Sequence, residues 1–282
     1  MSKEKLIKIS DSFFVDADYQ QAFADMGLTS IEAIFSFERG QTLSKKELSH
    51  YRTRIRFETD SPPVVLFLKR YDRPPILTQL RNWLTQRRRI SFGHCDCKAA
   101  EKLSKAGINT PKTIAKGQQW DRLFEKRSFS ITEKINGQSL EKKLPDCFEN
   151  AQTPENRKLK RTFIEQLAQF VRKFHETGYR HRDLYFSHIF YDGVEFYLID
   201  LARAFKPVLL TKRFRVKDIA QLYYSAPAGS FYRTDRIRFY HYYTGRDKLS
   251  LKDKIFISRI KRKTKKMAKH DTKRGKTVPF TG

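Results

Sequence analysis

The chain has 282 residues, of which 39 % are apolar, and its 58 Lys and Arg against 31 Asp and Glu give a formal net charge of +27. The apolar fraction is enough for a sizeable core and excludes a wholly disordered protein, and no window approaches the roughly 18 apolar residues that a membrane span needs. The charge favours polyanions as partners, meaning nucleic acid, anionic lipid head groups, phosphosugars or acidic proteins, without choosing among them.

The first 135 residues are rich in predicted strands. A short helix over 16–26 precedes predicted strands over 31–37 and 51–58. The nearly continuous apolar run VVLFLKRY at 64–71 predicts a buried strand that carries Lys69. The other elements expected in this half are helices over 76–90 and 96–106 and strands that begin at Pro111 and span 124–135.

Helices dominate from residue 136 onward. The clearest one is predicted over 157–177, where apolar side chains recur at the helical period. Short strands are expected at 188–191 and 196–199, followed by helices beyond residue 214.

This layout predicts an α+β fold with two lobes. The N-lobe, 1–135, is β-rich and includes an N-terminal extension, the C-lobe, 136–251, is helical, and a basic tail follows at 252–282. The tail has a thin apolar stripe, so we expect the core to survive a cut at Lys261. Its positive charge indicates either a solvated, mobile face or an anchor to an anionic membrane surface.

Three cysteines, Cys95, Cys97 and Cys147, and the lack of an apolar leader indicate a reducing compartment. The run His94-Cys95-Asp96-Cys97 lacks a second ligand pair at the spacing of a zinc site, so simple thiols are the favoured interpretation. We therefore expect a protein made and kept in the cytoplasm, or held on a cytoplasmic membrane face.

The strongest functional signal is the tripeptide His181-Arg182-Asp183, which lies in a predicted loop after the long helix. A predicted strand pair follows, and Ile199-Asp200-Leu201 closes it, in the order of a kinase catalytic loop and its metal-binding aspartate. The intervening residues are enough for a loop and a hairpin that bring both carboxylates to one site. A chance tripeptide in a charged loop is the alternative, which the surrounding elements disfavour.

Phosphoryl transfer explains these residue types. It needs a carboxylate that orients the acceptor hydroxyl and receives its proton, and metal ions that offset the charge of the phosphates. Asp183 is the predicted base, and Asp200 is the predicted ligand of Mg²⁺, which prefers oxygen.

A kinase also needs a strand lysine that holds the phosphates of ATP and a helical glutamate that holds the lysine. Lys69 and Glu101, on the helix CKAAEKLSKAG, are the predicted pair. The alternatives are a lysine that reaches solvent and a Glu101 that pairs with Lys102 on the surface.

Two further parts of the nucleotide site are predicted by position. The sequence SFSITEKING has the character of a last strand and a hinge, so the backbone groups of Glu133, Lys134 and Ile135 are expected to bind adenine. No GxGxxG precedes the lysine strand. The predicted phosphate loop is therefore 37–41, with the single glycine Gly40 and a positive charge from Arg39.

The sequence resembles the bacterial lipopolysaccharide core kinases, the heptose and Kdo kinases, which have a protein-kinase-like fold. The resemblance covers roughly residues 30–265 and rests on HRDLYFSHIF followed by LIDLARA, on SITEKINGQSLE, and on VKDIAQLYYSAP with RTDRIRFYHYYTG. His188, five residues after Asp183, is typical of these kinases, whereas protein kinases have Asn there.

The resemblance implies ATP-dependent, Mg²⁺-dependent phosphorylation of a hydroxyl on an inner-core sugar of a lipid-linked acceptor. It implies Asp183 as base, Asp200 as metal ligand, Lys69 as phosphate anchor, Glu101 as its partner, and Asp218 as a buried brace of the catalytic loop. The implied location is peripheral, on the inner face of the bacterial inner membrane. The net charge adds the anionic membrane surface and an acidic protein as expected partners.

Two departures from the protein-kinase pattern bear on the acceptor. Leu201 follows Asp200 without the glycine of Asp-Phe-Gly, and the next segment is short and basic, which favours a glycolipid or small molecule over a protein.

Imidazole is a poor ligand for Mg²⁺, so His188 is expected to hydrogen-bond Asp200 or a phosphate, or to touch the metal weakly. A structural histidine that packs under the loop is the alternative.

Two other functions remain open at this point. One is a kinase-like pseudoenzyme or basic module that grips nucleic acid, which the charge fits but the retained Lys69, Asp183 and Asp200 disfavour. The other is a kinase of another small-molecule sugar.

Overall fold

The computed structural model describes residues 5–43, 49–148, 153–227 and 229–279. The described residues form two compact units, each assembled from separate stretches of the chain. The first unit draws on Met1–Lys105, Thr110–Ile135 and Asp200–Ala204, and the second on Ala106–Asn109, Asn136–Ile199 and Phe205–Gly282.

The first unit is built on an antiparallel sheet of seven strands in the order β1-β2-β6-β7-β5-β4-β3. The strands are β1 Leu6–Ser10, β2 Phe13–Asp16, β3 Gln41–Thr42, β4 Arg52–Asp60, β5 Pro63–Asp72, β6 Thr113–Asp121 and β7 Phe124–Glu133. Four helices accompany them: α1 Gln20–Asp25, α2 Ile31–Ser36, α3 Ile76–Gln86 and α4 Phe92–Lys105.

The alternation of side chains along β5 explains how one strand serves both the core and the site. Leu66 and Leu68 are fully buried in the apolar cluster that also takes Phe129. Since successive side chains of a strand point to opposite faces, Lys69 lies on the other face. There α4 approaches closely: a Cβ on Gly93 would lie 2.6 Å from the carbonyl oxygen of Phe129, so only glycine fits.

The predicted strand over 31–37 is wrong, because Ile31–Ser36 forms the helix α2. Ser30 caps the helix by accepting a hydrogen bond from the amide of Ala33 at 3.1 Å. Ile31 and Ile34, three positions apart, are then buried together in the apolar cluster. The strands β1 and β2 were not predicted either.

The second unit combines a small sheet, in the order β10-β9-β8, with longer helices. Its strands are β8 Gln138–Ser139, β9 Ile189–Tyr191 and β10 Phe196–Leu198, and its helices are α5 Leu140–Phe148, α6 Pro154–Glu176, α7 Thr211–Ser225, α8 Arg233–Thr244 and α9 Leu251–Thr272. Within the described ranges, no helix is long and apolar enough to cross a bilayer.

The predicted separate tail is corrected by α9, which belongs to the second unit. The hydroxyl of Thr264 is buried and donates to the carbonyl of Ala220 at 3.2 Å, and Tyr224 donates to the carboxylate of Asp271 at 2.7 Å. Removal of the residues beyond Lys261 would break both bonds and expose part of α7. The structure therefore contradicts the expectation that the core survives a cut at Lys261.

Candidate active site

Lys69 lies at the centre of a charged cluster in the first unit. Its Nζ is 2.5 Å from the carboxylate of Asp96 and 3.3 Å from that of Asp200, and Arg54 Nη2 lies 3.0 Å from the second oxygen of Asp200. Burial acts to lower the pKa of Lys69, but the two carboxylates outweigh it and raise this pKa above its ordinary value. Lys69 is thus a permanently charged group, held in place by side chains.

The predicted pairing of Lys69 with Glu101 is corrected by these distances. Glu101 binds Lys105 at 2.6 Å on the surface of α4, whereas the carboxylate of Asp96 is buried against Lys69. The two acidic residues are five positions apart, which places them about 140° apart around the helix. Because α4 begins at Phe92, four residues before the predicted start, Asp96 already lies within it. In the sequence, Asp96 lies in the run HCDC, a pattern that suggests metal ligands and not a partner of Lys69.

Two residues of the functional motifs have left-handed backbone conformations. Arg182 has φ of +71° and Asp200 has φ of +57°. Residues other than glycine seldom adopt this region, which costs of the order of 1–2 kcal/mol, so the surrounding structure must stabilise both turns.

The loop before Asp183 is held by the buried carboxylate of Asp218 on α7, as predicted. This carboxylate accepts hydrogen bonds from the amides of His181 at 2.9 Å and Arg182 at 2.8 Å, and His175 Nε2 lies 3.3 Å away. Burial acts to raise the pKa of Asp218, but the bond from His175 and the backbone amide hold it below its usual range. A charged acceptor therefore fixes the main chain next to Asp183.

The same face of α7 supplies two more acceptors that sequence reasoning missed. The amide of Leu184 donates to the side chain of Gln221 at 3.2 Å, and the amide of Phe186 donates to the hydroxyl of Ser225 at 2.9 Å. With Asp218 these residues fall at i, i+3 and i+7 in VKDIAQLYYS, a polar stripe in the buried second half of the helix. This spacing of polar residues is the sequence pattern that could have identified Gln221 and Ser225.

The side chains around Asp183 are also ordered within the second unit. His188 Nδ1 donates to the carbonyl of Asp183 at 2.7 Å, and its ring stacks on that of His181 at 5.8 Å. His181 Nε2 donates to the carbonyl of Ile199 at 2.9 Å, and burial lowers the pKa of His181. Lys217, also missed from the sequence, has its Nζ 4.0 Å from the carboxylate of Asp183.

These contacts pack His188 under the loop, and its predicted contact with Asp200, a phosphate or the metal stays a prediction. A carbonyl can only accept, so Nδ1 of His188 carries a proton. His181 and Arg182, predicted as catalytic, contribute buried packing and backbone amides. The guanidinium of Arg182 lies over the ring of Phe205 at 5.4 Å.

The predicted phosphate loop does not occupy the corresponding place in the fold. A kinase covers the phosphates with the loop of the hairpin that precedes its lysine strand. That hairpin is β3–β4, whose connection is 43–51, and 44–48 lie outside the described residues. Arg39 and Gly40 precede the hairpin, and a Cβ on Gly40 would collide with the carbonyl of Arg56. Gly40 is thus required for packing on β4.

At the predicted hinge, two of the three backbone amides have partners in the first unit. The amide of Glu133 donates to the carbonyl of Lys112 at 3.0 Å, and that of Lys134 donates to the carbonyl of Val65 at 2.9 Å. Of the three predicted residues, Ile135 is therefore the one whose backbone N–H we propose for binding adenine.

Residues 93–243 match the model of the lipopolysaccharide kinase (Kdo/WaaP) family. The chain belongs to this family. It is 30 % identical over 239 residues to the lipopolysaccharide core heptose(I) kinase WaaP of Escherichia coli K12, a match that covers 78 % of this chain and 88 % of the relative. The WaaP of Pseudomonas aeruginosa PAO1 is 31 % identical over 172 residues, covering 58 % and 63 %.

A solved structure of WaaP in complex with acyl carrier protein has the same fold. It aligns with a TM-score of 0.68 at 24 % identity and covers 90 % of this Kdo/WaaP-family chain and 98 % of its own. The predicted α+β kinase-like fold is confirmed. As a member of the family, the chain is a kinase that uses ATP, a phosphotransferase whose acceptor is a sugar hydroxyl of the lipopolysaccharide inner core.

Proposed function

We propose that the kinase transfers the γ-phosphate of ATP to a heptose hydroxyl of the lipopolysaccharide inner core, with Asp183 as the general base. The heptose is favoured because the relatives from E. coli and P. aeruginosa are both named heptose(I) kinases. The observation that carries the role of Asp183 is the bracing of its loop by Asp218, which accepts both preceding amides.

In the proposed step, the heptose oxygen forms a bond to the γ-phosphorus while the bond from this phosphorus to the bridging oxygen of ADP breaks. The hydroxyl proton passes to the carboxylate of Asp183, and ADP leaves with the electron pair of the broken bond. Lys217, next to Asp183, adds positive charge where the transferred phosphoryl group is most negative. His181, Arg182 and His188 position the loop.

We assign the nucleotide phosphates to Lys69, with Asp96 as the residue that positions it. Its permanent charge and its place on a rigid strand support this assignment. An arriving phosphate offers Lys69 oxygens equivalent to those of Asp200, so the pair with Asp200 is exchangeable.

Asp200 is the proposed ligand of Mg²⁺. Its carboxylate is 23 % exposed and bound by two cationic side chains, so it is an anionic oxygen site that a metal can share or take over. No group of three His, Cys, Asp or Glu side chains suited to a metal occurs in the part of the chain that the structure describes. This fits Mg²⁺, which proteins commonly hold through one or two carboxylates together with substrate phosphates. The bound ion would offset phosphate charge.

The test is transfer from ATP to purified core glycolipid, with the product located by mass spectrometry. We expect a mass gain of one phosphate on a heptose in the presence of Mg²⁺. A matched acceptor that ends at Kdo and carries no heptose should remain unmodified. Phosphorylation of that acceptor would move the reaction to Kdo, and tight RNA binding without any transfer would favour the nucleic-acid module instead.

We further propose that α9 attracts the kinase to anionic membrane surfaces. Each basic side chain near such a surface contributes roughly 1 kcal/mol, and the attraction weakens with salt. The exposed basic residues of α9 are Lys252, Lys254, Arg259, Lys261, Arg262, Lys265, Lys266 and Lys269.

Vesicle sedimentation tests the anchor without cutting α9. We expect binding to anionic but not neutral vesicles, release by high salt, and weaker binding after Lys261, Arg262, Lys265 and Lys266 are changed to Gln. The matched control changes four exposed cations of the first unit, Arg81, Arg87, Arg88 and Lys102, to Gln. An equal loss in both variants would contradict a role specific to α9.

An acidic carrier protein is the proposed protein partner. The similar structure of WaaP contains acyl carrier protein, and a net charge of +27 suits an acidic surface. Co-elution of the kinase with acyl carrier protein at low salt, lost at high salt, is the expected result.

A further inference from the structure

The second unit contains a cavity rich in arginine that the phosphotransfer reaction does not use. It has a volume of about 230 Å³ and is lined by side chains of α6, α7, α8 and α9 and of the segments that follow α6 and α8. Four of them are arginines: Arg172, Arg180, Arg215 and Arg246. A water occupies about 10–15 Å³ on this measure, so the cavity can hold several waters or a small anion.

The positive charge of the cavity exceeds the charge of its acidic wall. Arg172 binds Glu176 at 2.8 Å in an exposed pair, and the exposed Arg246 binds the buried carboxylate of Asp253 at 3.1 Å. These are the two carboxylates of the wall. Among the described residues, neither Arg180 nor Arg215 forms an ion pair with a carboxylate of the wall, although the charge of Asp218, outside the wall, acts on Arg180.

One donor of each of the two deeper arginines, the Nε group, lacks an acceptor among the described residues. Arg180 is only 8 % exposed, and its Nη1 donates to the carbonyl oxygens of His175 and Tyr179. Within the described residues, Nε of Arg180 and Nε of Arg215 are buried and have no hydrogen-bond partner. Arg215 is held by stacking on Phe256 at 4.7 Å. Buried charged donors without acceptors are costly, and an anion that supplied oxygens would offset that cost.

We propose that this cavity binds a phosphate-bearing anion. Guanidinium groups match the oxygens of a phosphate in pairs, which gives both strength and orientation. The site is separate from the groups assigned to phosphotransfer, so it does not rest on the proposed heptose acceptor. Free phosphate and the phosphomonoester of a lipid or sugar head group share this chemistry.

The cavity is connected to the catalytic loop through a buried chain of hydrogen bonds. Tyr243 donates its hydroxyl proton to His175 Nδ1 at 2.8 Å, and His175 Nε2 donates to Asp218 at 3.3 Å. Tyr243 and His175 line the cavity, and Asp218 holds the amides of His181 and Arg182. An anion that orders this wall should therefore also stabilise the loop, and the coupling is reciprocal.

Calorimetric titration of the full chain with inorganic phosphate tests the site. The nucleotide site is first filled with a non-hydrolysable ATP analogue, and ionic strength is held constant with chloride. We expect wild type to bind phosphate and Arg215→Gln to bind about tenfold or more weakly, the loss typical of a charged hydrogen bond. Arg213→Gln, an exposed change on the same helix, is the matched control and should bind as wild type.

Arg215→Lys keeps the charge but loses the paired donors, so its affinity should fall between those of wild type and Arg215→Gln. Equal affinity in all four proteins, or no binding to the wild type, would overturn the proposal. Titration with glucose 1-phosphate and with a short-chain phosphatidic acid separates the sources. Tighter binding of either than of inorganic phosphate identifies a head group as the ligand, and equal or weaker binding identifies free phosphate.

Hydrogen exchange gives a second readout that does not depend on activity. With phosphate tenfold above its dissociation constant, the amides of His181 and Arg182 should exchange about tenfold more slowly in wild type. They should be unaffected in Arg215→Gln. Unchanged exchange in wild type at saturating phosphate would refute the link to the loop.

Discussion

The two units hold their functional carboxylates in different ways. In the first unit, Asp96 and Asp200 are bound by the side chains of Lys69 and Arg54. In the second unit, Asp218 is bound mainly by backbone amides and is fully buried. Side-chain ion pairs can exchange partners when a phosphate or a metal arrives, whereas bonds to the main chain fix a loop. The first arrangement suits binding of a charged substrate, and the second suits positioning of a base.

A second contrast concerns the charge of buried carboxyl groups. Hydrogen bonds hold the pKa of Asp218 below its usual range, so it is ionised at neutral pH. In the first unit, burial raises the pKa of Glu125 to about 7, although it accepts from the amide of Phe92 and the hydroxyl of Ser128. Both carboxyl groups accept hydrogen bonds from backbone amides. Asp218 binds the loop before Asp183, and Glu125 binds the first residue of α4. Their opposite pKa shifts follow from how many donors, and of what charge, surround each group.

The largest effect is expected for Asp183, the proposed base. Asp183→Asn should lower the rate of transfer by about 10²–10⁴-fold, because it removes the proton acceptor and little else. Affinity for ATP should stay close to wild type. Steady-state kinetics with a separate nucleotide-binding assay checks both, and Asp247→Asn, an exposed change in the same unit, is the control. A rate within threefold of wild type would remove Asp183 from this role.

The bracing of the loop is tested by Asp218→Asn. The amide has almost the shape of the carboxylate but carries no charge, and one of its two polar atoms is a donor that faces amide donors. We expect a loss of about 3–5 kcal/mol in the free energy of unfolding, as for a broken buried charged network. Urea denaturation measures it. A loss below about 1 kcal/mol would show that Gln221 and Ser225 hold the loop without Asp218.

Glu125 gives the contrasting pH dependence. Between pH 4.5 and about 7 the folded protein binds this proton more tightly than the unfolded chain, so the contribution of Glu125 falls as pH rises through this range. The total loss is about 3 kcal/mol for a shift of this size. Glu125→Gln removes the titrating carboxyl group and with it this loss. The free energy of unfolding of the variant, relative to that of wild type, should therefore rise by the same amount between pH 5 and pH 8. Denaturation at both pH values measures the difference, and parallel curves would contradict the raised pKa.

The smallest effect compares two acidic residues of α4. Asp96→Asn should weaken ATP binding by roughly tenfold or more, the cost of about 1.5–3 kcal/mol typical of a bond to a charged group. Glu101→Gln should change it by less than about twofold, since an exposed pair contributes little. Fluorescent nucleotide titration compares them directly. The reverse order would restore Glu101 as the partner of Lys69.

The sequence by itself determined the parts of this kinase that depend on short spacings. His181-Arg182-Asp183, Asp200 and Lys69 were predicted as site residues because each belongs to a short motif whose chemistry is readable from adjacent residues. The strand β5 and the helix α6 were predicted for the same reason, since a continuous apolar run and a hydrophobic period of 3.6 are both local patterns.

The tertiary structure decided which side chains meet. Asp96 rather than Glu101 binds Lys69 because the packing of α4 turns its Asp96 side, about 140° around the helix from Glu101, toward the lysine. Ile31–Ser36 is helical because its cap and the apolar cluster outweigh the strand preference of its β-branched residues. The basic run of α9 is ordered because Thr264 and Asp271 bond to α7, residues more than 40 positions away that no local pattern identifies.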